Sequence, residues 1–397
     1  MAYRICISSA IALSLLLTAC IWHLGSNSMI ACGFFGAFFI HLGARPNRKH
    51  IGISAAIGAA VSILYLLAGG HFGPDPLAAF IGAGAFLGIG SLMTMSIDIV
   101  WTGSRDYVVP LRDALILPVF ALVAGLCMNF VNGRPLPSYD YRLWTFDVSL
   151  WNSPERTVAH WVQTIPGLRT AASITYSSLL IFPPLYHAWA AWRGAPRRMH
   201  LMNAFVVAGL CGFVLYQICP AIGPLYCFKS QFPDHLPSLS PDTKLSVFLS
   251  PDVHNAMPSM HITWALLVWW SAHELGKWAV AIASVFVVLT GISMIGSGEH
   301  YLVDVVVALP LILLVHGLCM KKKAWSIGGA ALALGWLIFF RTGASIGVPG
   351  AVNWVLVAAT LALSTWPLRR RYAVRTAPLR EPAALSFGAP VQGSSAS

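Results

Sequence analysis

Apolar stretches long enough to cross a bilayer recur along this chain, and few folds can absorb them. They run at about 5–25, 28–44, 51–69, 77–101, 111–131, 171–192, 201–221, 260–275, 278–296, 300–319, 325–341 and 350–367. About 20 apolar residues span the hydrocarbon as a helix, and backbone polar groups in lipid must be satisfied within the segment. The pattern therefore predicts an all-α polytopic membrane protein of about twelve transmembrane helices. A chain that is 57% hydrophobic and 10% charged cannot be a soluble globule, where about a quarter of residues are charged. The net charge of +11 is read as topology signals at span ends, with no nucleic-acid partner.

The basic residues orient the spans. With the N-terminus inside, eighteen of the 25 Lys and Arg residues fall on the inner side and seven on the outer. Both termini are then cytoplasmic, and the two longest loops, 132–170 and 222–259, lie outside. Arg4, an apolar run and Leu17-Thr18-Ala19-Cys20 resemble a lipoprotein signal that would acylate Cys20; a retained first helix is the alternative and is preferred. The short N-terminus suits a bacterial cytoplasmic membrane. The eight cysteines show no metal spacing, although Cys219 and Cys227 lie near one outer loop where a disulfide could form. Residues 139–165 mix Tyr139, Asp140, Tyr141, Trp144, Asp147, Trp151 and Trp161, as a segment at headgroup level would. The tail from Arg369 is basic, then rich in Ala, Pro and Ser, and reads as disordered.

Two short polar boxes carry the chemistry. One runs His254-Asn255-Ala256-Met257-Pro258-Ser259-Met260-His261 and the other Gly298-Glu299-His300-Tyr301-Leu302-Val303-Asp304. The roughly 35 apolar residues between them make two crossings and a turn, which returns the chain to the face it left. His261 and His300 can therefore meet although 39 positions separate them. At a spacing of four, Asp304 can accept from one nitrogen of His300 and leave the other free as a nucleophile. Pro258 suits a first helical turn and Asn255 or Ser259 can cap it, so the box would present free amides to an anion. His261 then serves as general acid and base. This predicts phosphoryl transfer at a membrane surface.

The boxes resemble those of the type 2 phosphatidic acid phosphatase superfamily, whose second motif reads Pro-Ser-Gly-His and whose third reads Ser-Arg-x5-His-x3-Asp. Here they stand as Pro258-Ser259-Met260-His261 and Ser293-Met294-x5-His300-x3-Asp304. The resemblance implies His300 as nucleophile, Asp304 as its orienting partner, His261 as acid and base, and a six-helix core at 111–319. Residues 1–110 would then be a four-helix extension, 320–368 a two-helix extension and 369–397 the tail. Of the first motif, Lys-x6-Arg-Pro, only Arg134-Pro135 survives, with Cys127 in the place of Lys; Met294 replaces the Arg of the third.

With two cations missing, a phosphodiester carrying one charge fits better than a monoester carrying up to two. The wording Met-Pro-Ser-Met-His and Glu-His-Tyr-x-x-Asp also resembles the inositol phosphorylceramide synthase and sphingomyelin synthase branch. The expectation is a phospho-headgroup transferase acting on a membrane lipid with an alcohol or lipid acceptor. A lipid phosphate phosphatase is the alternative, and a twelve-helix secondary transporter is the reading from another class. Arg134, Ser259, Tyr301, Glu299 and His254 are the candidate substrate contacts, and no cofactor or metal is called for. Asp98, Glu274, His187, His273 and His316 read as interfacial or packed groups.

Overall fold

The computed structural model describes residues 28–71, 76–103, 105–131, 134–195, 199–236, 240 and 246–373. The first expected span, with Arg4 and Cys20, and the tail from 374 lie outside the described residues. The chain opens with α1 (Ser28–Gly43), α2 (Arg48–Leu67), α3 (Pro76–Thr102) and α4 (Val108–Val131). After β1 (Leu136–Ser138) come α5 (Asp140–Trp151), α6 (Pro154–Thr164), α7 (Leu168–Ser177), α8 (Phe182–Arg193) and α9 (Leu201–Tyr216). The short α10 (Pro224–Phe228) and β2 (Phe248–Ser250) precede α11 (Met260–Ala272), α12 (Lys277–Gly296) and α13 (Leu302–Cys319). Two long helices close the chain, α14 (Lys323–Thr342) and α15 (Gly350–Ala373).

Seven of these helices, α2, α3, α4, α12, α13, α14 and α15, are long and apolar enough to cross a membrane; α1 and α9 are apolar but shorter. The all-α polytopic class is as expected, and two spans need correction. Residues 171–192 are two helices, because Pro183 and Pro184 sit in the first turn of α8 and prevent α7 from running through. Helix α11 has 13 residues, about 20 Å, short of the roughly 30 Å of hydrocarbon.

The N-terminal helices dock through backbone contact. Helix α1 is buried along most of its length, and α3 carries glycines where it crosses its neighbours. A Cβ at Gly88 would stand 1.7 Å from the Phe34 carbonyl oxygen, and one at Gly90 2.0 Å from that of Ser54. Small residues permit such approach in lipid, where tails leave little hydrophobic drive between helices. Helix α1 also packs on α4 and α8, α11 and α12 form a hairpin, and α13 lies against α9, α11, α14 and α15.

The outer loops are folded elements. β1 and β2 pair antiparallel, with Pro137 opposite Leu249, and so tie the two loops together. Within residues 139–165, Tyr139, Asp140, Trp144 and Asp147 are buried in the protein, while Trp151 and Trp161 stay exposed with rings 6.1 Å apart. The acids draw this segment inward because helix ends need them there. Cys219 and Cys227 are free thiols.

Candidate active site

Both polar boxes become helix starts at one end of the bundle. Ser259 is the N-cap of α11, its hydroxyl accepting the Ile262 amide at 3.5 Å. Its own amide donates to the Asp304 carbonyl oxygen at 3.3 Å, which fastens the start of α11 to the first turn of α13. His261, in the first turn of α11, places Nδ1 3.2 Å from Nε2 of His300. Nδ1 of His300 lies 2.7 Å from the Ala256 carbonyl oxygen, which can only accept. That ring therefore carries its proton on Nδ1 and turns the Nε2 lone pair toward His261.

Asp304 has a smaller part in orienting His300 than its spacing suggested. Its Oδ2 lies 3.4 Å from His300 Nδ1 but accepts the Tyr301 amide at 2.8 Å, so the Ala256 carbonyl is the closer partner of the imidazole. The carboxylate still sets a negative charge beside the ring, as a positively charged adduct would need.

Two further acids hold α13 in place. Asp147 of α5 accepts the amides of Leu302 at 2.5 Å and Val303 at 3.1 Å, filling the N-terminus of α13. That end of the helix is closed to a phosphate. The amides of Met260 and His261, by contrast, have no acceptor among the described residues, so the start of α11 keeps its anion-binding capacity. Asp140 accepts from the Gly223 amide at 2.8 Å, the Ile222 amide at 3.1 Å and the Tyr301 hydroxyl at 3.0 Å, and Ser138 donates to it as well. Burial holds its carboxyl above the usual range despite these donors.

Behind Asp147 lies Glu155, fully buried, its carboxyl directed at Asp147. Its neighbours besides Asp147 are its own backbone and that of Leu302 at the start of α13. Burial pushes both carboxyls up, and the charge of Glu155 raises Asp147 further, whereas the contact with Asp147 lowers Glu155. The sequence suggested only a polar segment here, although Asp140 and Asp147, seven positions apart, already lie on one helical face.

A chamber of about 460 Å³ of mixed lining opens beside the histidines, with Gln163, Arg169, Ser173, Tyr176, Ser297 and Glu299 among its polar side chains. The Tyr176 ring stacks on His261 with centroids 5.1 Å apart, and Glu299 adjoins His300. A second hollow of about 300 Å³ is wholly apolar and includes Val158, Ile262, Gly291, Ile292, Ile295 and Leu309. The two adjoin: Val158 and Val162 are one turn apart on α6, and Ile295 and Gly296 are neighbours on α12.

The other expected contacts are scattered. Tyr301 is fully buried with its hydroxyl on Asp140, where it braces the turn and does not face a ligand. Ser259 is buried as a cap. His254 is buried with both ring nitrogens unpartnered among the described residues, and burial lowers its pKa. Arg134 is exposed just ahead of β1, and Met294 is fully buried.

Residues 141–318 match the family model described as PAP2 superfamily. The match begins within α5 and ends within the last turn of α13, so it contains His261, His300, Asp304, Asp147, Glu155 and both hollows. It spans less than half of the chain. Helices α1–α4, Arg134 and helices α14 and α15 fall outside it. No curated protein and no solved structure matches the chain.

Proposed function

We propose that this protein is a membrane lipid phosphotransferase that moves a phospho-headgroup from a lipid phosphodiester to an alcohol through a phosphohistidine intermediate. The observation that carries the reading is that His261 and His300, 3.2 Å apart, stand next to two adjoining hollows, one reached through Tyr176 and Glu299 and one, wholly apolar, through Ile262. An amphiphile with its phosphate between the rings would place its headgroup among Arg169, Tyr176 and Glu299 and its chain along Ile262, Gly291 and Leu309. The match of residues 141–318 to the PAP2 superfamily supports phosphatase or phosphotransferase chemistry in general.

In the first displacement the phosphorus takes the place of the hydrogen bond between the two rings. His300 Nε2 attacks, the N–P bond forms and the bond to the lipid alkoxide breaks. His261, made an imidazolium by the adjoining phosphate, gives its proton to the departing oxygen. In the second, an acceptor hydroxyl gives its proton to His261, the new O–P bond forms and the N–P bond breaks. The amides of Met260 and His261 and the Arg169 guanidinium stabilise the developing charge. Met294 and Cys127 stand where the resemblance has cations, and a diester with one charge asks for less neutralisation than a monoester with two. The basic-residue asymmetry supports an extracytoplasmic site for this chemistry.

The test is incubation of the purified full-length protein with a headgroup-labelled glycerophospholipid, with and without added alcohols. Transfer of label to the alcohol, abolished in His300→Ala, is the expected result. Label released as a phosphomonoester to water alone would make the enzyme a hydrolase, and intact lipid recovered throughout would remove the enzymatic reading.

A further inference from the structure

At the end of the bundle opposite His261 and His300, three helices bring Asp113, His187 and His200 together. Asp113 lies near the start of α4, His187 in α8, and His200 is the N-cap residue of α9. Asp113 and His187 are buried, and the His200 side chain is one quarter exposed. Nε2 of His187 and Nε2 of His200 each lie 3.1 Å from Asp113 Oδ2, and the three atoms all fall within 4.8 Å of one another. Arg112 engages the other oxygen, Oδ1, through Nε at 2.9 Å and Nη2 at 2.7 Å.

We propose that these three side chains form a binding site for one divalent first-row transition-metal ion, with zinc the best fit. Zinc binds imidazole nitrogen and carboxylate oxygen at about 2.0–2.2 Å, which puts tetrahedral ligand atoms about 3.4 Å apart. The two 3.1 Å edges fall short of that by a few tenths of an ångström, so an ion enters with a small outward shift of the rings. Two imidazoles and one carboxylate suit zinc, cobalt and nickel. Charge balance alone does not call for the set, because Arg112 already neutralises Asp113 and two histidines, one buried and one half-buried, are added to it.

Binding requires each ring to carry its proton on Nδ1 and offer the Nε2 lone pair, so neutral rings lose no net proton. His200 Nδ1 now accepts the Asn203 amide at 3.4 Å, a long bond that the ring gives up. Arg112 Nη2 lies 3.2 Å from His200 Nε2; its side chain is 56% exposed and can withdraw toward solvent while Nε stays on Oδ1. A cavity of about 10 Å³ beside His187, also lined by Tyr186, Ser271 and Glu274, has room for one water as a further ligand. The ion would join α4, α8 and α9 where the 171–192 segment is broken. The 13-residue α11 separates it from the histidine pair by about 20 Å, so it takes no part in the transfer chemistry.

Full-length protein in detergent, stripped with a chelator and dialysed, is titrated with Co²⁺ by visible absorption and loaded with Zn²⁺ for elemental analysis. One equivalent per chain is expected, retained in the His261→Ala/His300→Ala double variant. His200→Ala and His187→Ala should each weaken Co²⁺ binding by at least about tenfold. Failure of the wild-type chain to hold an equivalent of either ion would overturn the proposal. An equivalent that survives both His187→Ala and His200→Ala but is lost with the double variant would overturn it too, by assigning the ion to the other end.

Discussion

Arg169 contributes a guanidinium to the chamber beside the histidines, whereas the cations that the resemblance implies are replaced by Met294 and Cys127. It is exposed and takes part in none of the helix-holding contacts described above, so its replacement should spare the fold. Arg169→Ala is expected to raise KM for an anionic headgroup by about tenfold, the loss of one charge-assisted hydrogen bond, with an unchanged melting temperature. Steady-state kinetics decide it; an unchanged KM would take Arg169 out of the substrate site. The histidines themselves were legible in the sequence because two apolar crossings must return the chain to the same face. The Ala256 carbonyl was not, since a backbone acceptor 44 positions from His300 leaves no mark in residue types. His187 read as a packed group for the same reason: its partners Asp113 and His200 become neighbours only when α4, α8 and α9 assemble.

At the scale of elements, α13 is held by acids from α5 and α6, and those acids make stability depend on pH. Asp147 and Glu155 are both raised from unperturbed values of 3.8 and 4.5, first of all by burial, and Asp147 is raised further by the charge of Glu155. A carboxyl raised in the folded state keeps its proton longer there than in the unfolded chain. Its stabilising contribution is complete below the unfolded pKa and fades as pH rises through the folded one. Thermal melts of the detergent-solubilised protein between about pH 5 and 8 should therefore show stability falling with pH, and Glu155→Gln should flatten that fall. Parallel curves for the two proteins would show that Glu155 does not contribute to the pH dependence. The helical content of residues 139–165 was hidden because aromatic and acidic residues mixed with apolar ones describe a membrane surface as well as a buried helix. What separates the two is a partner, the open N-terminus of α13, and that lies some 155 positions away.

On the scale of the whole molecule, the site belongs to a PAP2-like segment set between helices that fall outside the match. Twelve crossings were read from apolar length alone, and the breaks at α7–α8 and the short α11 come from prolines and from helix ends that burial in protein allows. The apolar groove gives the account a test that engages the assembled bundle. A Cβ at Gly291 meets only Ile262 Cδ1 at 3.7 Å, so a larger side chain there grows into the groove. Gly291→Phe should lower turnover of a long-chain lipid by about tenfold or more while sparing a short-chain, water-soluble diester, as expected when a filled pocket excludes one or two methylene-sized contacts or more. Equal losses on both substrates would mean that the groove does not hold the chain.

The central claim is that His300 becomes covalently bonded to phosphorus. Rapid quenching of the full-length protein with a headgroup-labelled phosphodiester lipid, followed by peptide mass spectrometry under alkaline conditions that preserve N–P bonds, reads it directly. The account predicts a phospho-headgroup adduct on His300 that is absent in His300→Ala and accumulates when no acceptor is supplied. Label carried on any other residue, or turnover with the His300→Ala protein, would contradict it.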